Sequence, residues 1–373
     1  MIWLTWRQFR AQAATAVAAV AGFAILLAVT RPHMDSLYAA SGISGCQGRT
    51  CGGLASAFLN DLASATPFGG RGGSLALLPD GTDLYPILYS LGLLLIVTAP
   101  AIIGMFWGAP LIARELETGT CRVAWNQSVT RNRWLTVKLT LTGLAALAVA
   151  EAFCLMQAWW AAPIGRAMVL GGTVSVFNAG RFNPLNFATH GITPLGYAAF
   201  GFALGVTLGV LIRRTVPAMA LTLAIFAAIQ VAMPLWVRPH LMPPDQTIAT
   251  TQATQANWNG FYAGPVLTAS VVPGQPGAWI ISSGAVNVAG HPVSTVPALC
   301  LPTARTGLGR TGGRPQSEGG LQRCLDSHGI REEVSYQPVS RYWPFQLAET
   351  GIFLALALAL AWFCFWRLGR RLS

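Results

Sequence analysis

The chain has 373 residues, of which 53% are hydrophobic and 10% charged, with a mean hydropathy of +0.50 and a formal net charge of +11. Soluble domains carry about 25% charged residues, so the composition excludes an ordinary soluble protein and points to an integral membrane protein. The basic balance does not mark a nucleic-acid binder, because many of the arginines lie in short segments beside apolar runs, where they fix topology and meet anionic lipid.

Residues 1–12, MIWLTWRQFRAQ, mix Trp3, Trp6 and Phe9 with Arg7 and Arg10. This composition suits an amphipathic helix in the interface plane and equally a simple anchor for the first span. A cleaved signal peptide fits less well, since no small-x-small site follows residue 29 directly. A span needs about 17–25 apolar residues, and six runs reach that length: 13–29, 84–106, 135–162, 192–212, 216–237 and 345–366. The fourth and fifth are parted only by Arg213, Arg214 and Thr215, which makes a tight hairpin. The expected fold is all-α and polytopic, six transmembrane helices with an extracytoplasmic mixed α/β insertion at 238–343 between helices 5 and 6.

The segments between the runs differ in character. Residues 30–83 form a Gly- and Ser-rich outer loop with a flexible glycine run at 69–73. Residues 108–134 are charged and helix-capable, and must lie at a membrane surface because unpaired charge in lipid is expensive. Residues 163–191 form a second outer loop with room for a re-entrant or surface helix. The insertion has a strand-like run at 277–288 and a mobile glycine-rich stretch at 307–320. Residues 344–373 hold the last span and a basic tail.

Topology follows from the short loops. With a cytoplasmic N-terminus, Arg7, Arg10, Arg114, Arg122, Arg131, Arg133, Lys138, Arg213, Arg214, Arg367, Arg370 and Arg371 all fall inside, opposed there only by Glu115 and Glu117. That is the positive-inside pattern, so both termini are expected in the cytoplasm. The cysteines fit: Cys46 and Cys51 fall in the first outer loop, Cys300 and Cys324 in the last. Even numbers in oxidised segments suggest the pairs Cys46–Cys51 and Cys300–Cys324, with free thiols throughout as the alternative.

Small residues recur at helical spacing. Gly201, Gly205 and Gly209 line the fourth span, and Gly104 and Gly108 close the second. This spacing lets helix backbones approach closely, either at an interface that slides or in fixed packing within one subunit. Two carboxylates fall inside predicted spans. Glu151 suits a substrate pathway or a structural pairing, and Glu349 lies near enough to the outer interface to be simply solvated.

Several chemistries are missing. The single lysine, Lys138, has no Gly-x-x-x-x-Gly-Lys-Ser/Thr around it, so the chain holds no ordinary P-loop. None of the five histidines sits in His-Glu-x-x-His, and no metal site or catalytic set is expected. Glu332-Glu333 lies in a polar outer segment and reads as solvated surface charge.

The stretch Arg114-Glu115-Leu116-Glu117-Thr118-Gly119-Thr120, followed by Arg133-Trp134 and Lys138 leading into the third span, resembles the ABC-2 class of ABC-transporter permease subunits. The amphipathic N-terminus, the six spans, the outer insertion and the Arg-rich, Lys-poor usage are similar to such permeases of high-GC actinobacteria. The resemblance implies a bacterial plasma-membrane subunit of an exporter with no cofactor of its own. Two separate ATPase chains, which would bind ATP and Mg, dock below, and a second permease subunit, identical or different, pairs with this one, a homodimer being the expected case. Arg114, Glu115, Glu117, Gly119 and Thr120 then form a coupling helix, with Gly119 ending it; an ordinary solvated, capped helix is the plainer alternative. Cargo of an apolar, amphiphilic or drug-like kind follows from the resemblance alone. From a different class, a non-transporting scaffold or sensor whose outer domain binds a partner also fits the topology, and an intramembrane enzyme fits poorly.

Overall fold

The computed structural model describes residues 2–46, 51–65, 84–119, 130–170, 177, 180–255, 257–259, 266–269, 272–275, 277–293 and 318–371. Among them six helices are long and apolar enough to cross a membrane. The chain divides into two compact units, one of Met1–Ala179, Pro184–Arg238 and Pro344–Ser373, the other of Gly180–Asn183 with Pro239–Trp343.

The first unit is a helix bundle. Helix α1 (Ile2–Ala40) is continuous for 39 residues, about 58 Å at about 1.5 Å per residue, well beyond the ~30 Å hydrocarbon core. Residues 2–12 and 30–40 are therefore turns of the same helix as the first span, where the sequence leaves the first stretch open between an interfacial helix and a simple anchor and reads the second as part of a loop. The far turns persist because they have packing of their own: Leu27 and Met34 are buried, and Arg31 pairs with Asp35 one turn on at 2.8 Å. Helix α2 (Cys51–Ala63) buries Ala55, Phe58, Leu59 and Leu62, a single apolar stripe. It joins Ile43 of the preceding turn and Ile164 and Ala167 of a later helix in one core. The Cys46–Cys51 disulfide, Cα–Cα 5.5 Å, closes the turn between α1 and α2 as expected.

Helix α3 (Leu84–Ile103) passes through a π-helical turn (Gly104–Gly108) into α4 (Ala109–Glu117). Helix α5 (Arg131–Trp160) starts at Thr130, whose side chain accepts from the Arg133 N–H, as an N-cap should. Two short helices follow, α6 (Ala162–Val169) and α7 (Pro184–Thr189). Helix α8 (Thr193–Ile212) is the most buried of the six spans. Helix α9 (Thr215–Ala232) runs into a second π turn, Met233–Val237, where Pro234 removes a backbone donor.

The second unit contains a three-stranded antiparallel sheet in the order β1 (Asp245–Thr250), β5 (Arg331–Gln337), β4 (Trp279–Val286), and a hairpin of β2 (Asn257–Asn259) with β3 (Val266–Thr268). Strand β4 falls inside the run the sequence marks as strand-like. Helix α10 (Glu318–Ser327) begins within the stretch read as a glycine-rich loop. Its Leu325 is buried, as are Ile330 and Val334, and its Asp326 accepts from the Thr251 N–H at 2.8 Å. Cys324 is disulfide-bonded. Cys300, its expected partner, lies outside the described residues, as do Thr120, residues 69–73 and residues 307–317. Helix α11 (Tyr342–Arg371) is the last span.

Candidate coupling site

The elbow is α4, the continuation of the second span. Pro110 sits in its first turn, where a missing N–H costs nothing. Ala109, Ile112 and Ala113 are fully buried on one side, which leaves Arg114, Glu115 and Glu117 on the other. Thr118 closes the helix, its N–H and hydroxyl both donating to Arg114 O at 3.0 and 2.8 Å. Gly119 then turns the chain with φ +72, a left-handed conformation glycine adopts without steric cost.

Both carboxylates of the elbow are engaged within the chain. Glu115 forms an ion pair with Lys138 of α5. The lysine side chain is only 3% exposed, and its ammonium lies 4.9 Å from the Trp134 ring centroid. A buried ammonium needs a carboxylate nearby, and Glu115 supplies it. Glu117 Oε2 accepts from the Thr215 N–H at 3.1 Å and from its hydroxyl at 2.8 Å. It thereby caps the start of α9, where backbone donors are otherwise orphaned and negative charge is favoured. The elbow is thus fastened to α5 through Glu115 and to the α8–α9 hairpin through Glu117. Of the residues matched by resemblance, Arg114, Glu115, Glu117 and Gly119 share this elbow, and Lys138 and Trp134 face it from α5.

The glycines meet at one crossing just above. A Cβ on Gly205 would overlap the Gly104 carbonyl oxygen, and one on Gly209 would stand 2.5 Å from Ala109 O. Gly108 abuts Phe202 O in the same contact. Gly104, Gly108, Gly201, Gly205 and Gly209 therefore pack the second span against the fourth within a single chain. The π turn lies at this crossing. Its Phe106 carbonyl accepts from Gln12 Nε2 at 3.1 Å, and Trp107 stands edge-on to Phe9 with centroids 4.8 Å apart. Neither Gln12 nor the π turn is legible in the sequence; the signals available are two amides near the N-terminus, Gln8 and Gln12, and the glycines that bracket 104–108.

Glu151 stands apart on α5. It is half-buried, and its Oε2 has no hydrogen-bond partner among the described residues. One turn on, the buried Cys154 thiol donates to Thr189 O at 3.3 Å. Beyond it the fully buried Gln157 lies against Gly92, with neither amide atom hydrogen-bonded among the described residues. Gln157 was also missed, although a lone amide within an apolar run is a visible signal.

At the other end of this unit the structure corrects the expectation for Glu349. It is fully buried rather than solvated. Arg238 grips it with two bonds, Nε to Oε2 at 2.9 Å and Nη2 to Oε1 at 3.0 Å, and the Tyr197 hydroxyl donates to Oε1 as well. The guanidinium also lies 4.0 Å from the Phe187 ring centroid.

Neither the curated proteins nor the solved structures contain a significant match to the chain. The family model described as ABC-2 membrane transporter related matches residues 17–238, a segment that includes the elbow, both glycine runs and the α8–α9 hairpin. The chain is therefore a multi-pass membrane transporter permease and belongs to the ABC-2 membrane transporter related family.

Proposed function

We propose that the chain is the permease subunit of an ATP-driven exporter in a bacterial plasma membrane, with both termini in the cytoplasm, moving apolar, amphiphilic or drug-like cargo outward. The observation that carries this reading is the family match over a segment containing the elbow. Two ATPase subunits, holding ATP and Mg, dock at the elbow end, and a second copy of the chain completes the path. Arg114, Glu115, Glu117, Gly119 and Thr120 form the coupling segment. The ties of Glu115 to Lys138 and of Glu117 to Thr215 support that role, since a push on the elbow reaches the third and fifth spans directly. Interlocked helices respond to such a push by switching between discrete packings. Glu151 belongs to the cargo pathway, and Cys300–Cys324 staples the outer domain.

Purification in mild detergent with mass identification of the bound chains tests the reading. A P-loop ATPase without spans of its own is expected to co-purify. A stable outer-domain partner with no ATPase would instead mean a scaffold or sensor.

A further inference from the structure

The other carboxylates of the spans and the elbow are all engaged within the chain. Arg238 grips Glu349, Lys138 pairs with Glu115, and Glu117 accepts from the Thr215 N–H and hydroxyl. Glu151 is the exception. Among the described residues no Lys or Arg lies within ion-pair distance of it, and its buried Oε2 meets no donor. The nearby Cys154 thiol spends its proton on Thr189 O instead.

Depth makes this vacancy costly. Glu151 lies well inside the apolar run 135–162, and at about 1.5 Å per residue both ends of that run are more than about 15 Å away. A carboxylate there needs a partner of opposite charge. A second copy of the chain cannot bring one. Across the six apolar runs the only basic residue is Lys138, and Glu115 already holds it.

The face of α5 shows from where a partner arrives. Leu144, Ala148, Leu155 and Ala158 are exposed, and their spacing of three and four residues makes one stripe that runs past Glu151. The half-buried carboxylate therefore borders an apolar surface that the bundle leaves open. A small hydrated cation would have to give up its water to reach this depth. A cation carried on an apolar body pairs with the carboxylate and covers the stripe in one step.

Resting on the reading that Glu151 lies in the cargo pathway of an exporter, we propose that Glu151 is the binding group for a lipophilic cation, an organic ammonium or onium ion whose apolar body lies along the Leu144–Leu155 stripe. The carboxylate selects for positive charge, and the stripe accepts bulk without selecting among shapes.

Equilibrium binding of tetraphenylphosphonium and tetraphenylborate, matched in shape and opposite in charge, tests the proposal on the full chain with its co-purifying subunits in a nonionic detergent. The wild type is expected to bind the phosphonium, and Glu151→Gln to bind it at least about tenfold more weakly with an unchanged gel-filtration profile. Glu151→Asp should keep the preference for the cation, and tetraphenylborate should gain nothing from the carboxylate. A wild type that does not bind the phosphonium, or one that binds it no better than Glu151→Gln does, overturns the inference. An equal loss of both ions in Glu151→Gln marks altered shape rather than charge and also overturns it. So does a Glu151→Gln complex that sheds a subunit, since the carboxylate would then serve a basic group of a different chain. The exporter reading is judged separately, by whether an ATPase co-purifies, and survives each of these failures.

Discussion

Arg238 and Glu349 form a two-pronged ion pair whose side chains are 1% and 0% exposed. Arg238 is the last residue of the bundle before the insertion, and Glu349 follows five residues after the bundle resumes at Pro344. The pair therefore fastens the two points at which the chain leaves and rejoins the bundle. Both charges are out of water, so their mutual contact offsets a desolvation penalty rather than adding a large net gain.

Removing one partner should consequently cost far more than removing both. Glu349→Gln or Arg238→Met is expected to destabilise the protein by about 3–5 kcal/mol by stranding a buried charge. Arg238→Met combined with Glu349→Leu should recover most of that loss. Thermal unfolding followed by gel-filtration monomer recovery gives the comparison. A double variant as damaged as either single one would show that the pair contributes net stability.

The second tie makes a different prediction. Lys138 is buried but Glu115 is 14% exposed, so Glu115→Gln leaves an ammonium that water partly reaches, and the expected loss is about 2 kcal/mol. Lys138→Met should be milder, because the freed carboxylate turns to solvent. If the elbow transmits force, both variants should still insert and bind ATPase, while cargo-stimulated hydrolysis falls. Stimulation at the wild-type level in both would remove the tie from the coupling route.

The glycine crossing predicts a steric effect. At Gly205 a methyl group meets the backbone carbonyl of Gly104, which cannot swing aside as a side chain does. Gly205→Ala is expected to cost about 1–3 kcal/mol and to lower the yield of folded protein in membranes. Gly22→Ala, with nothing within 4 Å of its Cβ, should leave the yield unchanged. Equal yields for the two variants would mean that the crossing opens more easily than its contacts imply.

The legible parts of this protein were those written in spacing. Glycines at every fourth residue announced close packing, and the structure places them in a contact between the second and fourth spans. Cys46 and Cys51 announced a local bridge. The elbow helix was legible through its charges, but their partners were not: Lys138 and Thr215 lie 23 and 98 residues away from Glu115 and Glu117, and no local pattern encodes such pairings. Arg238 reads in sequence as the first polar residue after a span, because the reach of a long side chain back into the bundle leaves no mark on hydropathy. The same holds for α1, whose far turns are polar enough to resemble a loop and are held helical by the packing of Leu27 and Met34.

Glu332 supplies a prediction in pH. It sits on β5, the middle strand of the insertion's sheet, and is fully buried rather than solvated as the sequence suggested. Oε2 accepts from the Thr254 hydroxyl at 2.5 Å, and Oε1 has no hydrogen-bond partner among the described residues. Burial pushes its carboxyl above the ordinary value, and the hydroxyls of Thr254 and Ser283 offset only part of this. The folded state therefore holds the proton more tightly than the unfolded chain does, and stability falls as pH rises from the unfolded value through the raised folded one. Hydrogen exchange of β5 in the intact protein should be slower at pH 4.5 than at pH 7, after correction for the intrinsic rate. Glu332→Gln keeps the shape, removes the buried charge and should flatten that dependence while leaving neutral-pH protection equal or higher. A wild-type sheet more protected at pH 7, or a glutamine variant with the same slope as wild type, would mean that Glu332 stays ionised in the fold with a partner that offsets its burial.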